Sequence, residues 1–391
     1  MTCVEDLRRT ARERFAELGY PTRKNEEWKY TNVARIAKTP YEPGNGLIAP
    51  PAGLNPLTGL DCYRVVFVNG RFRPDLSEAD GLDVQGLDKA AGHLARYAAF
   101  VHQPFVALNT ASFEDGAFIH IPEGQVLPKP VHLLFLSAGE RTMSNPRTLI
   151  VAGARAEAHI VESYAGEGEY FTNAVTELAL GEGAMVDHYK VQRESAGASH
   201  IATVQGYQER ASVFTSHSVS LGGALVRNDI NSTLNGPGCE ATLNGLYVAA
   251  GEQHIDNHTA LDHAMPHCSS REYYRGILSG RATGVFNGKI IVRKDAQKTD
   301  AIQSNKNLLL SEEASINTKP QLEIYADDVR CTHGATVGQL DAEALFYLQT
   351  RGIGREEARR LLITAFAADV LDRIRIEPLR TAIGRLVRER L

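Results

Sequence analysis

"LALGEGAMVDHYKV", residues 178–191, reads as an apolar strand, a turn of small residues and a second strand. Five other stretches repeat the phrase: "LIVAGARAEAHIVES" (149–163), "VSLGGALVRNDIN" (219–231), "STLNGPGCEATLNG" (232–245), "GILSGRATGVFNG" (276–288) and "LLLSEEASINTKP" (308–320). Their starts are spaced unevenly, from about a dozen to about forty residues, in the range of solenoid repeats. A β-sandwich also has many short strands with frequent turns. The absence of helical patterns between the strands, with repeats longer than a hairpin, favours coils stacked as a parallel β-helix. In such a body small residues recur at corners and apolar ones fill the bore.

This texture begins near residue 104, and we assign the core to 104–338. The chain's 391 residues exceed the size at which single cores stop growing, so flanking parts are expected. The N-terminal region, 1–103, opens with a helix whose Val4, Leu7, Ala11, Phe15 and Leu18 form one apolar stripe. Trp28, the only tryptophan, reads as an anchor, and "PYEPGNGLIAPPAGLNP" (40–56) as a linker. "CYRVVFVNGRFRPDLS" (62–77) predicts a hairpin turning at Asn69-Gly70. In the C-terminal part, 339–391, Asp341 is placed to cap a helix that Gly352 closes. A second helix follows, with Leu361, Leu362, Ala365, Val370, Leu371 and Ile374 on a broad apolar face, and a third carries Leu379, Ile383, Leu386 and Val387. These helices are expected either to cap the solenoid or to offer a face to another protein.

Forty-two basic against 47 acidic residues argue against nucleic acid as the main partner. The long stretches without Asp, Glu, Lys or Arg (43–60 and 97–113) are shorter than the roughly 20 residues of a membrane span, so no membrane segment is expected. The opening residues hold no apolar run of the kind secretion signals need. Five dispersed cysteines without C-x-x-C fit a reducing compartment, and a cytoplasmic location is the expectation. Neither a P-loop nor a dinucleotide fingerprint is present.

Two polar constellations carry candidate chemistry. His254, His258, His263, His267 and Cys268 invite a metal reading, but side chains four apart on a strand stand about 13 Å apart. A polar ladder at a coil corner is preferred. Cys331 and His333 would share one face of a strand over 322–333, about 7 Å apart, and both would reach one metal ion or cluster edge. They make half a ligand set, and lone pairs of this kind are more often structural. A Cys–His nucleophile needs a hydrogen bond that this spacing makes too long.

The stretch 256–353, which includes "EYYRGILSGRATG" (272–284) and "RCTHGATVGQLD" (330–341), resembles the SufB/SufD family of the SUF iron–sulfur cluster assembly system, as does "RKNEEWKYTNV" (23–33). Residues 40–150 match only loosely. "IQSNKNLLLS" (302–311) lacks the cysteine that the SufB branch carries there, and Gly334 stands where SufB has glutamate, so the resemblance is to the SufD branch. It implies a right-handed parallel β-helix core flanked by helical parts, and a non-catalytic role. The partners implied are a SufB-like paralogue sharing that core and a SufC-like ABC ATPase docked by the C-terminal helices. That docking role falls on 341–374, with Leu345, Phe346, Leu361, Leu362 and Phe366 as contacts. A nascent, transient iron–sulfur cluster is implied at the paralogue seam, edged by His333 of the family motif with Cys331 beside it. The same coil ends suit a homodimer of the isolated chain. Two rival readings remain at this level: a β-helix enzyme acting on polysaccharide, and a scaffold in which Cys331 and His333 are only core residues.

Overall fold

The computed structural model describes residues 4–46, 53–90 and 92–391; Cys3 and residues 47–52 of the expected linker lie outside them. From Glu157 onward the strands alternate between two sheets, and each pairs in parallel with the strand one coil away. One sheet stacks Glu157–Glu167, Met185–Arg193, Val213–Ser220, Glu240–Ala249, Ser269–Leu278, Asp300–Leu309 and Arg330–Gly338. The other stacks Tyr170–Leu180, Ser199–Gln208, Leu225–Leu234, His254–His263, Thr283–Val292 and Ser315–Ile324. The result is a parallel β-solenoid of about eight coils. The register gives the true repeat: Val213 lies opposite Glu240, an offset of 27, and Ser269 opposite Asp300, an offset of 31. The uneven phrases were half-coils, since each coil has a turn on either side.

One corner shows why those turns need not be glycine. Arg155, Gly183, Ala211, Gly238, His267 and Lys298 all adopt positive φ, between 55° and 73°. Each donates its N–H to a carbonyl of the next coil, from Arg155 to Glu182 at 2.8 Å through Lys298 to Asp328 at 2.7 Å. A left-handed non-glycine residue is strained, and a stacked bond repeated coil after coil holds it there. The expectation of small corner residues is therefore met at only some coils.

The hairpin turns at Asn69-Gly70, with Phe67 opposite Phe72, and both turn residues have positive φ. Its first strand, Tyr63–Val68, pairs in parallel with Val131–Ala138, so part of the region ahead of residue 104 joins the solenoid sheet. Helix α1 (Val4–Leu18) buries Ala11 and half-buries Leu7, Phe15 and Leu18; α2 (Ala34–Lys38) buries Ile36. In α3 (Pro104–Ser112) seven consecutive residues are buried, which accounts for the second of the long uncharged stretches. Among the described residues no helix is long and apolar enough to cross a membrane.

Trp28 anchors the N-terminal segment to the outer face of the solenoid. The buried Arg227 guanidinium lies 3.8 Å from its ring centroid and donates to the Glu27 carbonyl at 2.6 Å. Thr31 donates to Asp256 at 2.6 Å, and the Glu27 carboxylate lies 3.5 Å from His258 Nδ1. The hydrogen bond from His258, supported by Lys289, holds the Glu27 carboxyl at about 2 against the opposing effect of burial. A carboxyl depressed in the folded state stabilises above its ordinary value, and that contribution is lost as pH falls through the folded one. Trp28 fluorescence is therefore expected to report loosening of this segment between about pH 4.5 and 2, and Glu27→Gln should remove that acid dependence.

The C-terminal helices run along the side of the solenoid and leave its end open, so of the two expected arrangements the cap is not the one formed. In α4 (Ala342–Thr350) no residue is buried. In α5 (Arg355–Leu371) Ala358, Ile363, Ala367, Val370 and Leu371 are buried, and Ile374 just beyond it. In α6 (Glu377–Arg390) Leu379, Ile383, Leu386 and Val387 are buried. These side chains pack on outward residues of the sheet, including Tyr189, Val219, Leu246, Val248 and Ile277. The apolar face expected on α5 is thus rotated: Leu361 and Ala365 point to solvent, because Ile363 and Ala367 meet the sheet.

Candidate functional site

The site is the open end of the solenoid. Ser315–Ile324 and Arg330–Gly338 are the outermost strands of their sheets, and among the described residues nothing pairs with their free edges. The expected single strand over 322–333 is two strands, because residues 325–329 form the last corner. Cys331 and His333 stand at the start of the final strand.

Alternation decides where they face. Ala301, Gln303, Asn305 and Asn307 are buried, whereas Ile302 and Lys306 between them are exposed, so the odd positions face the bore. The register pairs Ala301 with Cys331 and Gln303 with His333. Cys331, His333, Ala335 and Val337 therefore form the bore-side row of a strand with no coil beyond it. Cys331 is half-buried and packs on the bore core, and His333 is exposed. Across the bore, Thr318 donates to Asn305 at 3.0 Å, and Ile316 and Leu322 pack against the bore core. Burial, with the nearby Asp300 carboxylate, pushes the Cys331 thiol up despite a bond to the Ala301 backbone. It stays protonated at neutral pH, and a metal ion would have to displace that proton to bind the sulfur.

Beneath this row lies polar machinery that sequence inspection missed. Glu272 is fully buried, and burial pushes its carboxyl up to about 7 although Gln303 and Thr259 hydrogen-bond to it. Gln303 Nε2 donates to Glu272 Oε2 at 2.6 Å. Deeper in the bore Lys190 is held at about 8 by burial and contacts His200 at 2.8 Å and Asn228 at 2.9 Å. His200 Nδ1 lies 2.8 Å from Glu194. The strand register shows these scattered residues to be inward-facing. A period-two count within "SSREYYRGIL", aligned on its buried tyrosine Tyr274, would have found Glu272.

The histidine-rich segment is dispersed, and the expected corner ladder is not formed. His254 and His258 point outward, to Thr31 at 2.9 Å and to Asp256 at 3.1 Å. His263 points into the bore, against Ser270 at 2.9 Å. His267 is the left-handed corner residue of its coil, and Cys268 donates to the Gly236 carbonyl at 3.3 Å. Among the described residues no group of three or more His, Cys, Asp or Glu is arranged to hold a metal ion.

Of the helical residues singled out, Phe346 and Leu361 are exposed, Leu345 and Leu362 half-buried, and Phe366 half-buried beneath Arg275, 5.9 Å from its ring. With Tyr347 they leave an apolar surface on α4 and the outer side of α5. Asp341 caps α4, accepting from Glu343 N at 2.9 Å and Ala344 N at 3.3 Å.

Comparison with known proteins agrees with this architecture. Residues 135–366 match the family model described as SUF system FeS cluster assembly, SufBD core domain, and residues 1–133 the SufBD protein N-terminal region. The chain is 34% identical to the iron–sulfur cluster assembly protein SufD of Escherichia coli, over 95% of this chain and 90% of that one. It is 35% identical to an iron–sulfur cluster assembly SufBD family protein of Synechocystis, over 97% and 88% respectively. With the chloroplastic protein ABCI7 of Arabidopsis thaliana it shares 32% identity, over 95% and 82%. Matched along both its solenoid and its N-terminal region, the chain belongs to the SufBD family of the SUF system for iron–sulfur cluster assembly.

Proposed function

We propose that this chain is the non-catalytic, SufD-type subunit of a cytoplasmic iron–sulfur cluster assembly scaffold. Its open solenoid end pairs with a SufB-like paralogue, the nascent cluster being a transient cargo of that seam. His333 and Cys331 supply one edge of the ligand set, and the partner supplies the rest. The observation that carries the reading is the placement of an exposed imidazole and a half-buried thiol on the bore-side row of an unpaired terminal strand. Free strand edges favour addition of further strands, and half a ligand set has use where another chain completes it. The α4–α5 surface of Leu345, Phe346, Leu361, Leu362 and Phe366 is the proposed dock for a SufC-like ATPase. An exposed apolar patch of this kind is characteristic of a protein contact. When the paralogue is absent, the same free edges offer a homodimer contact.

The test is affinity capture of the tagged full-length chain from native lysate, with the partners identified. Wild-type chain is expected to retain both a paralogue and an ATPase. Val337→Asp, at an exposed position of the terminal strand, is expected to lose the paralogue, and Phe346→Asp the ATPase. Retention of the paralogue by a folded Val337→Asp chain would count against the seam.

A further inference from the structure

We infer that Gln303, seated by Glu272, is a positioning residue placed to accept a hydrogen bond from the imidazole of His333 and so to select which ring nitrogen is free to bind a metal. The inference deepens the proposed function and rests on it for its purpose, but not for its geometry. Glu272, Gln303 and His333 occupy one register row, on three successive strands of one sheet. Neighbouring strands stand about 4.8 Å apart, so these side chains stack directly on one another. The order of the bonds along the row follows from the Glu272 end. The Glu272 carboxyl accepts from the Thr259 hydroxyl on one oxygen and from Gln303 Nε2 on the other, at 2.6 Å. With its amide nitrogen turned to Glu272, Gln303 keeps its oxygen for another donor. That oxygen is buried and has no hydrogen-bond partner among the described residues.

The fold makes room for this arrangement. A Cβ on Gly288, across the bore, would stand 2.1 Å from Gln303 Nε2 and 2.8 Å from its Cδ. An alanine there would displace the amide, so glycine serves the close approach of the glutamine side chain. The next group in the row is His333, whose imidazole carries an N–H donor in its neutral form. When that N–H rests on Gln303 Oε1, the opposite ring nitrogen presents its lone pair away from the bore, toward the open end. Histidines that bind metals are commonly held by an acceptor on the other nitrogen, which fixes the tautomer and the ring orientation.

The experiment is two-bond proton–nitrogen correlation NMR on the full-length chain labelled with 15N-histidine, the His333 signals being those absent from His333→Gln. Wild type is expected to show one dominant tautomer. Gln303→Leu should move the tautomer ratio toward that of imidazole in water by roughly 5-fold or more, as an ordinary hydrogen bond allows. Glu272→Gln combined with Gln303→Glu exchanges donor and acceptor, keeps an oxygen facing His333 and should restore the wild-type ratio. A purely structural role for Gln303 would not produce that restoration. A wild-type mixture of tautomers, an unchanged ratio in Gln303→Leu, or failure of the exchanged pair to restore it overturns the inference. None of these readouts uses cluster assembly, so failure of the proposed function would be registered separately.

Discussion

Replacing His333 with alanine is expected to lower the activities of iron–sulfur enzymes, in cells that depend on this chain, by more than about 10-fold. Loss even of a residue that only supports a metal ligand costs roughly 10–100-fold, so loss of the proposed ligand should cost no less. The effect should be chemical and not structural. His333 is exposed on the last strand, and substitutions at such surface positions usually change stability by less than about 0.5 kcal/mol. Thermal unfolding and partner capture are therefore expected to match wild type. Anaerobic reconstitution of the assembled complex with iron and sulfide, followed by its charge-transfer absorbance, separates loss of cluster from loss of assembly. Normal maturation by an intact His333→Ala complex would remove the imidazole from the proposed ligand set.

The largest expected effect on stability lies elsewhere, in Glu177→Ala. Glu177 and Arg147 form an ion pair in which both side chains are fully buried. Glu177 also accepts from the backbone N–H groups of Ala95 and Tyr97 at 2.8 Å and of Ala98 at 3.0 Å, so one carboxylate ties the segment before α3 to the first full coils. Arg147 in turn donates to Asn109 at 3.2 Å and Thr110 at 3.0 Å, within α3. Removing the carboxylate takes an acceptor from a buried guanidinium and from three amide donors, of which that of Ala98 is buried. Breaking a buried pair on one side costs about 3–5 kcal/mol, which urea unfolding at neutral pH would resolve. Replacing both partners with apolar residues of similar volume should cost less, because no unpaired charge remains. A loss below about 1 kcal/mol for Glu177→Ala would mean that water reaches Arg147 in the mutant.

The parts legible without coordinates are those set by local chemistry. Asn69-Gly70 turns a hairpin because both residues tolerate positive φ, and Asp341 caps α4 because its short carboxylate reaches two free amides. The stripe of Val4, Leu7, Ala11, Phe15 and Leu18 marks a helix with one packed side, and the recurrent strand–turn–strand phrases mark stacked coils. His333 was singled out by its motif, and the nearness of its imidazole to the Cys331 thiol was visible from their spacing of two. The misreadings share a different cause. The face of α5, the fate of the histidine-rich segment and the single strand over 322–333 each depended on what lies one coil away or across the bore.

The amino-acid order alone determined that this protein is a β-solenoid with helical flanks and that a thiol and an imidazole stand two residues apart near its C-terminal edge, because turns, caps and periodicity act over a few residues. Only the tertiary structure decided that the helices leave the solenoid end open, that His333 falls at that end, and that Glu272 and Gln303 stand behind it. Those placements follow from strand register, which brings together residues about thirty positions apart, beyond the reach of any local signal.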